Sequence, residues 1–254
     1  MSSFKKSTDS YRPLVYAHRG SNTCAPENTL AAFCKARQQG ADGIEMDVKL
    51  TADDEVVVIH DQTVNRTTNG HGLLRSFRLA DLRQLDAGSW FDGAFSGECV
   101  PTLAEIFETL QDSILYDIEL TNYGTPFDAL LDKVLALIQK YELTHKVMVT
   151  SFFPNNISRF RSLAPTIPGG VIALKGMAGF LSRSIIGRWF APRVVIPVYL
   201  DLTPNYILRQ KARNRKVIPW TVNDPADIQR MARWGVDGLI TDVPETACKT
   251  LEAL

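Results

Sequence analysis

Short β-branched runs alternate with amphipathic segments along almost the whole chain, and this alternation limits the fold more than any other feature. We predict eight strands, at residues 14–18, 44–48, 114–119, 147–152, 170–174, 194–199, 217–222 and 239–242. Two of the intervening helical segments begin with a cap residue followed by proline, at Thr203-Pro204 and Asp224-Pro225. Eight strand–helix units in 254 residues predict an α/β fold, a parallel sheet closed into a (β/α)8 barrel. We expect a single domain over residues 1–254.

Two intervals after the second strand interrupt this alternation. Only residues 49–55 separate that strand from the apolar run 56–60, which is too short for a crossover between parallel strands. The run 56–60 should therefore return antiparallel, as a hairpin over the mouth of the barrel. Residues 61–101 are rich in turn formers and too long for an ordinary strand–helix loop. We interpret them as a small insertion on the face where the strands end.

Composition excludes several classes of partner. Lys+Arg 28 balances Asp+Glu 28, so net charge predicts neither a nucleic-acid partner nor attraction to an anionic bilayer. No apolar stretch reaches the length of a membrane span, and residues 1–10 lack the apolar core of a secretory signal. The four cysteines are scattered, as is typical of reduced thiols. We expect a cytoplasmic protein without stable membrane insertion, and the oligomeric state stays open.

Polar residues suited to phosphoryl chemistry follow three predicted strands. His18-Arg19-Gly20, Glu45-Met46-Asp47 and His60-Asp61 each come directly after, or end, a short apolar run. Because the carboxyl ends of parallel strands meet at one face, these groups should share a site. Two histidines can exchange protons near neutral pH, and an arginine fork matches a phosphate. A glycine after Arg19 permits close approach of the backbone to a ligand.

A carboxylate group in the same region predicts a metal site. Glu45 and Asp47 are two residues apart on one strand, so both point to the same side. Glu119 ends the third strand, and Asp117 shares its parity one layer lower, which makes Asp117 a weaker candidate. Three oxygen ligands without sulfur favour Ca²⁺ or Mg²⁺. The alternative interpretation is an ordinary acidic patch neutralised by salt bridges.

Several motifs occur together in a fixed order between Leu14 and Pro244. They are His18-Arg19-Gly20, Pro26-Glu27-Asn28-Thr29, Glu45-x-Asp47, His60-Asp61, Arg66-Thr67-Thr68-x-Gly70, Trp220-Thr221-Val222-Asn223 and Gly235-Val236-Asp237-Gly238-Leu239-Ile240-Thr241-Asp242. In this order they resemble the glycerophosphodiester phosphodiesterase family. The resemblance implies a TIM barrel with an insertion after the second strand. It also implies a Ca²⁺- or Mg²⁺-dependent hydrolase that cleaves glycerophosphodiesters to glycerol 3-phosphate and an alcohol.

The resemblance also implies roles for individual residues. These are His18 and His60 as the acid–base pair, Glu45, Asp47 and Glu119 as metal ligands, Arg19 at the phosphate, Glu27 or Asn28 bracing the site, and Trp220 walling the glycerol pocket. Many family members carry a lysine two residues after the third-strand glutamate, where it meets the phosphate, but this chain has Thr121. Lys175, just past the fifth strand, is our candidate for the missing charge, and the alternative is a solvated loop lysine.

Three functions compete at this stage. We favour hydrolysis of small glycerophosphodiesters. The second is a lysophospholipase D-type phosphodiesterase acting on lysolipids, in which residues 177–189, with Phe180, Ile185 and Trp189, form an apolar lip. The same stretch also fits a crossover helix that only packs on the barrel. The third function is a barrel that binds phosphodiesters without turnover, and the intact histidines and carboxylates argue against it.

Overall fold

The computed structural model describes residues 12–191 and 193–254, so the N-terminal segment for which we predicted no secretory signal lies outside the described residues. The strands are β1 (Leu14–His18), β2 (Gly43–Leu50), β3 (Val56–Val58), β4 (Leu115–Leu120), β5 (Val147–Ser151), β6 (Gly169–Ala173), β7 (Val194–Pro197), β8 (Lys216–Val217) and β9 (Gly238–Thr241). Eight run parallel in the order β8-β7-β6-β5-β4-β2-β1-β9, and β3 pairs antiparallel with β2. The predicted barrel and its hairpin are confirmed.

The barrel closes between β8 and β9 through backbone hydrogen bonds. The Asp237 N–H donates to Val217 O and the Ile240 N–H donates to Pro219 O, each at 2.9 Å. Strand β8 is shorter than the predicted 217–222, because Pro219 has no N–H to donate to the ladder. The segment after β8 nevertheless follows the course of a strand, since Val222 N–H donates to Ile240 O at 2.9 Å.

Helices surround the barrel, and the two with a predicted cap signal begin at the predicted residues. They are α1 (Leu30–Gln38), α2 (Leu79–Leu82), α3 (Leu103–Leu110), α4 (Leu130–Lys140), α5 (Pro154–Leu163), α6 (Phe180–Arg183), α7 (Ile185–Phe190), α8 (Pro204–Lys211), α9 (Pro225–Trp234) and α10 (Pro244–Glu252). Thr203 and Asp224 accept backbone N–H groups as the N-caps of α8 and α9. Among the described residues, no helix combines the length and the hydropathy needed to cross a bilayer.

Alternation along the strands divides the core into layers. Outward-facing strand residues pack against the helices, and a second apolar cluster fills the inside of the barrel: Tyr16, Met148, Ile172, Val194, Ile196, Ile218 and Ile240. Above this plug, towards the carboxyl ends of the strands, the inward positions of β2 and β4 carry charged and polar residues. The plug thus supports the polar layer from below.

The stretch 61–101 packs on the hairpin around a small apolar cluster of its own. That cluster comprises Val57, Ile59, Val64, Leu74, Leu82, Ala87 and Val100. Its chain returns to the barrel at Pro101, whose carbonyl accepts the Val58 N–H at 2.9 Å. Between β6 and β7, residues 177–189 form two short helices preceded by a 3₁₀ turn, in place of one crossover helix.

Candidate active site

The sheet register brings the predicted site residues to one mouth of the barrel. His18 on β1 pairs with Glu45 on β2, and Asp47 on β2 pairs with Glu119 on β4. Residues that alternate on parallel strands in register share one face, so these side chains all enter the barrel. His60 reaches the same mouth because the Ile59 N–H donates to Asp47 O at 2.9 Å, which ties the end of the hairpin to β2.

Three carboxylates form a compact buried group. Ligand oxygens of Glu45, Asp47 and Glu119 all lie within 4.8 Å of one another, and the three residues are at most 8% exposed. Burial and the neighbouring charge of Asp47 raise the pKa of Glu45 well above its usual range and that of Glu119 to about 8. Carboxylates so placed repel one another unless protons or a cation offset their charge. The group is therefore poised to take up positive charge.

The surroundings of this group fit a hard divalent cation. Asn28 donates its Nδ2 to Asp47 Oδ2 at 3.0 Å, and the Arg19 N–H donates to Glu45 Oε2 at 3.1 Å. Both bonds fix a carboxylate while leaving other oxygen lone pairs free. The Asn28 Oδ1 is buried and accepts no hydrogen bond from any described residue. An all-oxygen donor set with an unpartnered acceptor beside it suits Ca²⁺ or Mg²⁺.

Without a bound cation, the protein should lose stability as pH rises from 6 to 8.5. Glu119 titrates near 4.5 when unfolded and at about 8 when folded, so the folded state holds its proton more tightly across that range. The stability linked to that proton is present below pH 4.5 and is lost as pH passes the folded pKa. The Tm of chelator-treated protein should fall by about 2–4 °C per kcal/mol lost. Glu119→Gln should flatten this slope, and a flat wild-type profile would contradict the prediction.

A carboxylate orients the ring of His18. Its Nδ1 lies 2.7 Å from Asp242 Oδ1, and Asp242 also accepts hydrogen bonds from Asn22 and Asn223, each at 2.6 Å. Burial alone would raise the pKa of Asp242, but these hydrogen bonds outweigh it and hold the pKa at about 2. An ionised Asp242 accepts the Nδ1–H, which leaves Nε2 as the nitrogen available for proton transfer.

His60 has the same arrangement with a different carboxylate. Its Nδ1 lies 2.7 Å from Asp61 Oδ1, and Arg66 Nε donates to Asp61 Oδ2 at 2.8 Å. The hydrogen bond from Arg66 holds the pKa of Asp61 well below its usual range. Arg66 also donates twice to Glu27 at 2.8 Å, and Glu27 accepts from Arg19 at 2.9 Å. A continuous chain of ion pairs thus joins the two histidine-bearing segments.

Arg19 and its neighbour owe their positions to the backbone. Arg19 has a left-handed conformation (φ 56°), and its N–H reaches Glu45 from there. Its Nε lies 3.4 Å from Asp47 Oδ2. A Cβ on Gly20 (φ 84°) would lie 2.7 Å from the backbone carbon of Ala32. In this structure Gly20 is required by packing on α1, whereas we predicted that it allows a ligand to approach.

A buried lysine joins the hairpin to the barrel. Lys49 Nζ donates to His60 O and to Thr121 Oγ1, each at 2.6 Å, and to Ile59 O at 3.2 Å. Burial lowers its pKa to about 8. Thr121 stands where the resemblance predicts a lysine, and it accepts a hydrogen bond from the ammonium group of Lys49 on β2. The other candidate, Lys175, is exposed after β6, and its side chain makes no hydrogen bond or ion pair with any described residue.

Aromatic side chains wall the mouth beside Glu119. Trp220 packs edge-to-face on Phe152 with ring centroids 5.7 Å apart, and Tyr123 packs likewise on Phe152 and Phe153. The Tyr123 hydroxyl donates to Glu119 Oε1. These rings follow β4, β5 and β8, so the predicted pocket residue Trp220 belongs to a larger aromatic surface.

Sequence reasoning missed three residues that the site uses. Asp242 stood in a quoted motif without a role, and Tyr123 gave no signal of its own. Lys49 did give a signal, because it has the same strand parity as Glu45 and Asp47 and had to enter the barrel with them. A charged residue at an inward position needs a partner, and Lys49 finds three.

Comparisons with known proteins agree with this geometry. A profile of the glycerophosphoryl diester phosphodiesterase family matches residues 18–246. A protein of Caldanaerobacter subterraneus subsp. tengcongensis, named glycerophosphodiester phosphodiesterase, is 38% identical over 236 residues, which are 92% of this chain and 96% of that protein. An Oleispira antarctica phosphodiesterase, solved with the product sn-glycerol-3-phosphate, superimposes with a TM-score of 0.85 at 28% identity, covering 95% and 97% of the two chains. A glycerophosphodiester phosphodiesterase of Agrobacterium tumefaciens superimposes with a TM-score of 0.81 at 30% identity, covering 93% and 99%.

Proposed function

The chain belongs to the glycerophosphoryl diester phosphodiesterase family, and from this premise we propose that it hydrolyses small glycerophosphodiesters to glycerol 3-phosphate and an alcohol. One observation carries the proposal for this chain. Two histidines, each bound at Nδ1 by an aspartate, share a barrel mouth with three clustered carboxylates. Proton transfer and charge compensation are the two requirements of phosphodiester cleavage at neutral pH. We further propose that the reaction takes place in the cytoplasm.

Different parts of the site would bind different oxygens of the phosphate. Glu45, Asp47 and Glu119 would hold Ca²⁺ or Mg²⁺, which supplies positive charge to the phosphoryl oxygens during the displacement. Arg19 would donate to another phosphate oxygen through its guanidinium fork, while Glu27 keeps that fork in place. Asn28 would hold Asp47 in place, and Lys175 would make a weaker contact with the phosphate from the rim of the mouth. Trp220 would pack against the carbon skeleton of the glycerol.

The two histidines would move the protons. One Nε2 would accept the proton of the attacking hydroxyl, from water or from the neighbouring hydroxyl of the substrate glycerol. The other would protonate the departing alkoxide, which is otherwise a poor leaving group. Each ring keeps its tautomer through the aspartate at Nδ1, Asp242 for His18 and Asp61 for His60. A positioned acid or base contributes about 10²–10⁴-fold to the rate.

A substrate panel tests the proposal. Release of glycerol 3-phosphate from glycerophosphocholine and glycerophosphoethanolamine should be measured with added Ca²⁺ or Mg²⁺. We expect kcat/KM for glycerophosphocholine to exceed that for lysophosphatidylcholine by about tenfold or more, because the residues assigned to the site are, apart from Trp220, charged or polar. A tenfold preference for the lysolipid would favour the lysophospholipase D function instead. Binding of these substrates without release of glycerol 3-phosphate from any of them would favour the third function, a barrel that binds phosphodiesters without turnover.

Lys49→Met should lower kcat by about 10- to 100-fold and change KM by less than about threefold, because small displacements of a catalytic group are costly. The substitution keeps the length of the side chain but frees the His60 carbonyl, so the ring of His60 loses its fixed position. Steady-state kinetics on glycerophosphocholine check this, with thermal unfolding to confirm the fold. Lys35→Met, at an exposed position of α1, is the matched control. Unchanged kcat in Lys49→Met would leave Lys49 without a positioning role.

A further inference from the structure

One sector of the chain carries only positive charge. Between Glu142 and Asp201 there is no aspartate or glutamate, although the chain as a whole is neutral. Over the same stretch the cationic residues are Lys146, Arg159, Arg161, Lys175, Arg183, Arg188 and Arg193. Surface charges act over about 8 Å at physiological salt, so a local excess of charge influences what a surface attracts, whatever the net charge. The expectation of no attraction to an anionic bilayer rested on the net charge alone.

Large apolar side chains are exposed in the same sector, over residues 174–191, which we name the docking segment. They are Leu174, Met177, Phe180, Leu181, Ile186 and Trp189, with 44% to 84% of each residue exposed. Single exposed apolar residues are ordinary, but six within eighteen residues of chain are typical of an interaction surface. Tryptophan and phenylalanine interleaved with arginine are typical of surfaces that sit at the boundary between lipid headgroups and acyl chains.

The backbone of the docking segment packs closely on itself at two glycines. A Cβ on Gly179 would lie 1.9 Å from Leu174 O, and one on Gly187 would lie 2.1 Å from Ser182 O. Arg183 donates to Leu174 O at 2.7 Å and pairs with Asp201 at 2.7 Å. The backbone is thereby held against the loop after β7, with the large apolar side chains exposed on the outside.

The position of the docking segment relates it to the site. Leu174 follows the carboxyl end of β6, the end of the barrel that holds the carboxylates. At the far end of the segment, Arg161 on α5 donates to the carbonyls of Trp189 and Phe190 at 2.9 and 3.0 Å. The segment therefore runs from the rim of the mouth down the outer wall beside α5.

We propose that the docking segment binds the protein to the surface of a bilayer that contains anionic lipids. Phe180, Leu181 and Trp189 enter the headgroup boundary, and Lys175 and Arg188 contact lipid phosphates. The docking segment has no carboxylate of its own and Asp201 pairs with Arg183, so the remaining charge of Lys175 and Arg188 favours an anionic lipid surface over a neutral one. A protein bound in this way would have the rim of its barrel mouth close to the bilayer surface. This binding goes beyond the proposed reaction and does not depend on it.

Co-sedimentation of the full chain with vesicles tests the proposal. Vesicles of phosphatidylcholine with and without phosphatidylglycerol serve as probes, at low and at high salt. We expect binding to the anionic vesicles to be at least about tenfold tighter and to weaken with salt. The double substitution Phe180→Ser and Trp189→Ser should weaken binding by about tenfold, as should Lys175→Glu with Arg188→Glu. Turnover of glycerophosphocholine should be unchanged in the Phe180 and Trp189 variant.

Phe127→Ser is the matched control, because Phe127 is an aromatic residue that is 85% exposed outside the docking segment. It should bind vesicles like the unchanged protein, and circular dichroism should confirm that every variant is folded. Equal binding to both kinds of vesicle, or full binding by the Phe180 and Trp189 variant, would overturn the proposal. Concentration-dependent dimers without vesicles, lost in that variant, would identify a second copy of the chain as the occupant and would equally overturn it. An inactive but vesicle-binding protein would count against the proposed reaction alone.

Discussion

Removal of divalent cations should lower turnover of glycerophosphocholine by about 10³-fold or more, and added Ca²⁺ or Mg²⁺ should restore it. The reason is the buried group of Glu45, Asp47 and Glu119, whose oxygens lie within 4.8 Å of one another. Around an anionic phosphodiester, three carboxylates without a cation would repel the substrate they are meant to bind. The measurement is the rate of glycerol 3-phosphate release by chelator-treated protein, with elemental analysis to confirm that the metal is gone.

Substitutions can separate the metal ligands from carboxylates that are merely nearby. Asp47→Asn should reproduce the loss seen on chelation and should not respond to added metal. Asp117→Asn is the control, because Asp117 is in register with Glu45 but is not part of the carboxylate group, and it accepts a hydrogen bond from Thr150 at 2.7 Å. Burial raises the pKa of Asp117 to about 7, so a neutral amide is a small change there. Full activity in metal-stripped protein would mean that these carboxylates hold no catalytic cation.

The parts of the site that the sequence predicted are those that depend on neighbouring strands. Glu45 and Asp47 share a face because side chains alternate along a strand, and Glu119 joins them because β4 pairs directly with β2. His60 was predicted from chain length alone, since seven residues cannot make a parallel crossover. In each case a local rule, applied to a short segment, was enough.

The parts that the sequence did not predict depend on contacts that side-chain patterns do not record, and one of them depends on closure of the whole barrel. Asp242 orients His18, although 224 positions separate them, and the two meet only because β9 returns to pair with β1. Lys49 was predictable as an inward-facing charge, but its acceptors include the backbone carbonyls of residues 59 and 60. Backbone acceptors leave no trace in side-chain patterns, so their contribution could be seen only in three dimensions.

His18→Ala and His60→Ala should each lower kcat by about 10²–10⁴-fold while the protein stays folded, because each removes one proton-transfer group. The double variant should be little worse than the poorer single variant, since both groups act in one displacement. Saturating glycerophosphocholine and thermal unfolding provide the two measurements. His145→Ala is the control, because that side chain is exposed at the amino-terminal side of β5. Near-normal turnover in either site variant would remove that histidine from the mechanism.

A change of leaving group should then assign the two roles. A phosphodiester of glycerol with p-nitrophenol releases a phenolate that needs no protonation, so the variant that lacks the general acid should recover most of its rate on this substrate. The variant that lacks the general base should stay slow, because its nucleophile still keeps its proton. We expect one of His18→Ala and His60→Ala to recover and the other not. Recovery of both would mean that neither histidine activates the nucleophile, and recovery of neither would mean that leaving-group protonation comes from another residue.

The two aspartates predict a smaller effect of the same kind. Asp242→Asn should weaken only the role that falls to His18, and Asp61→Asn only the role that falls to His60.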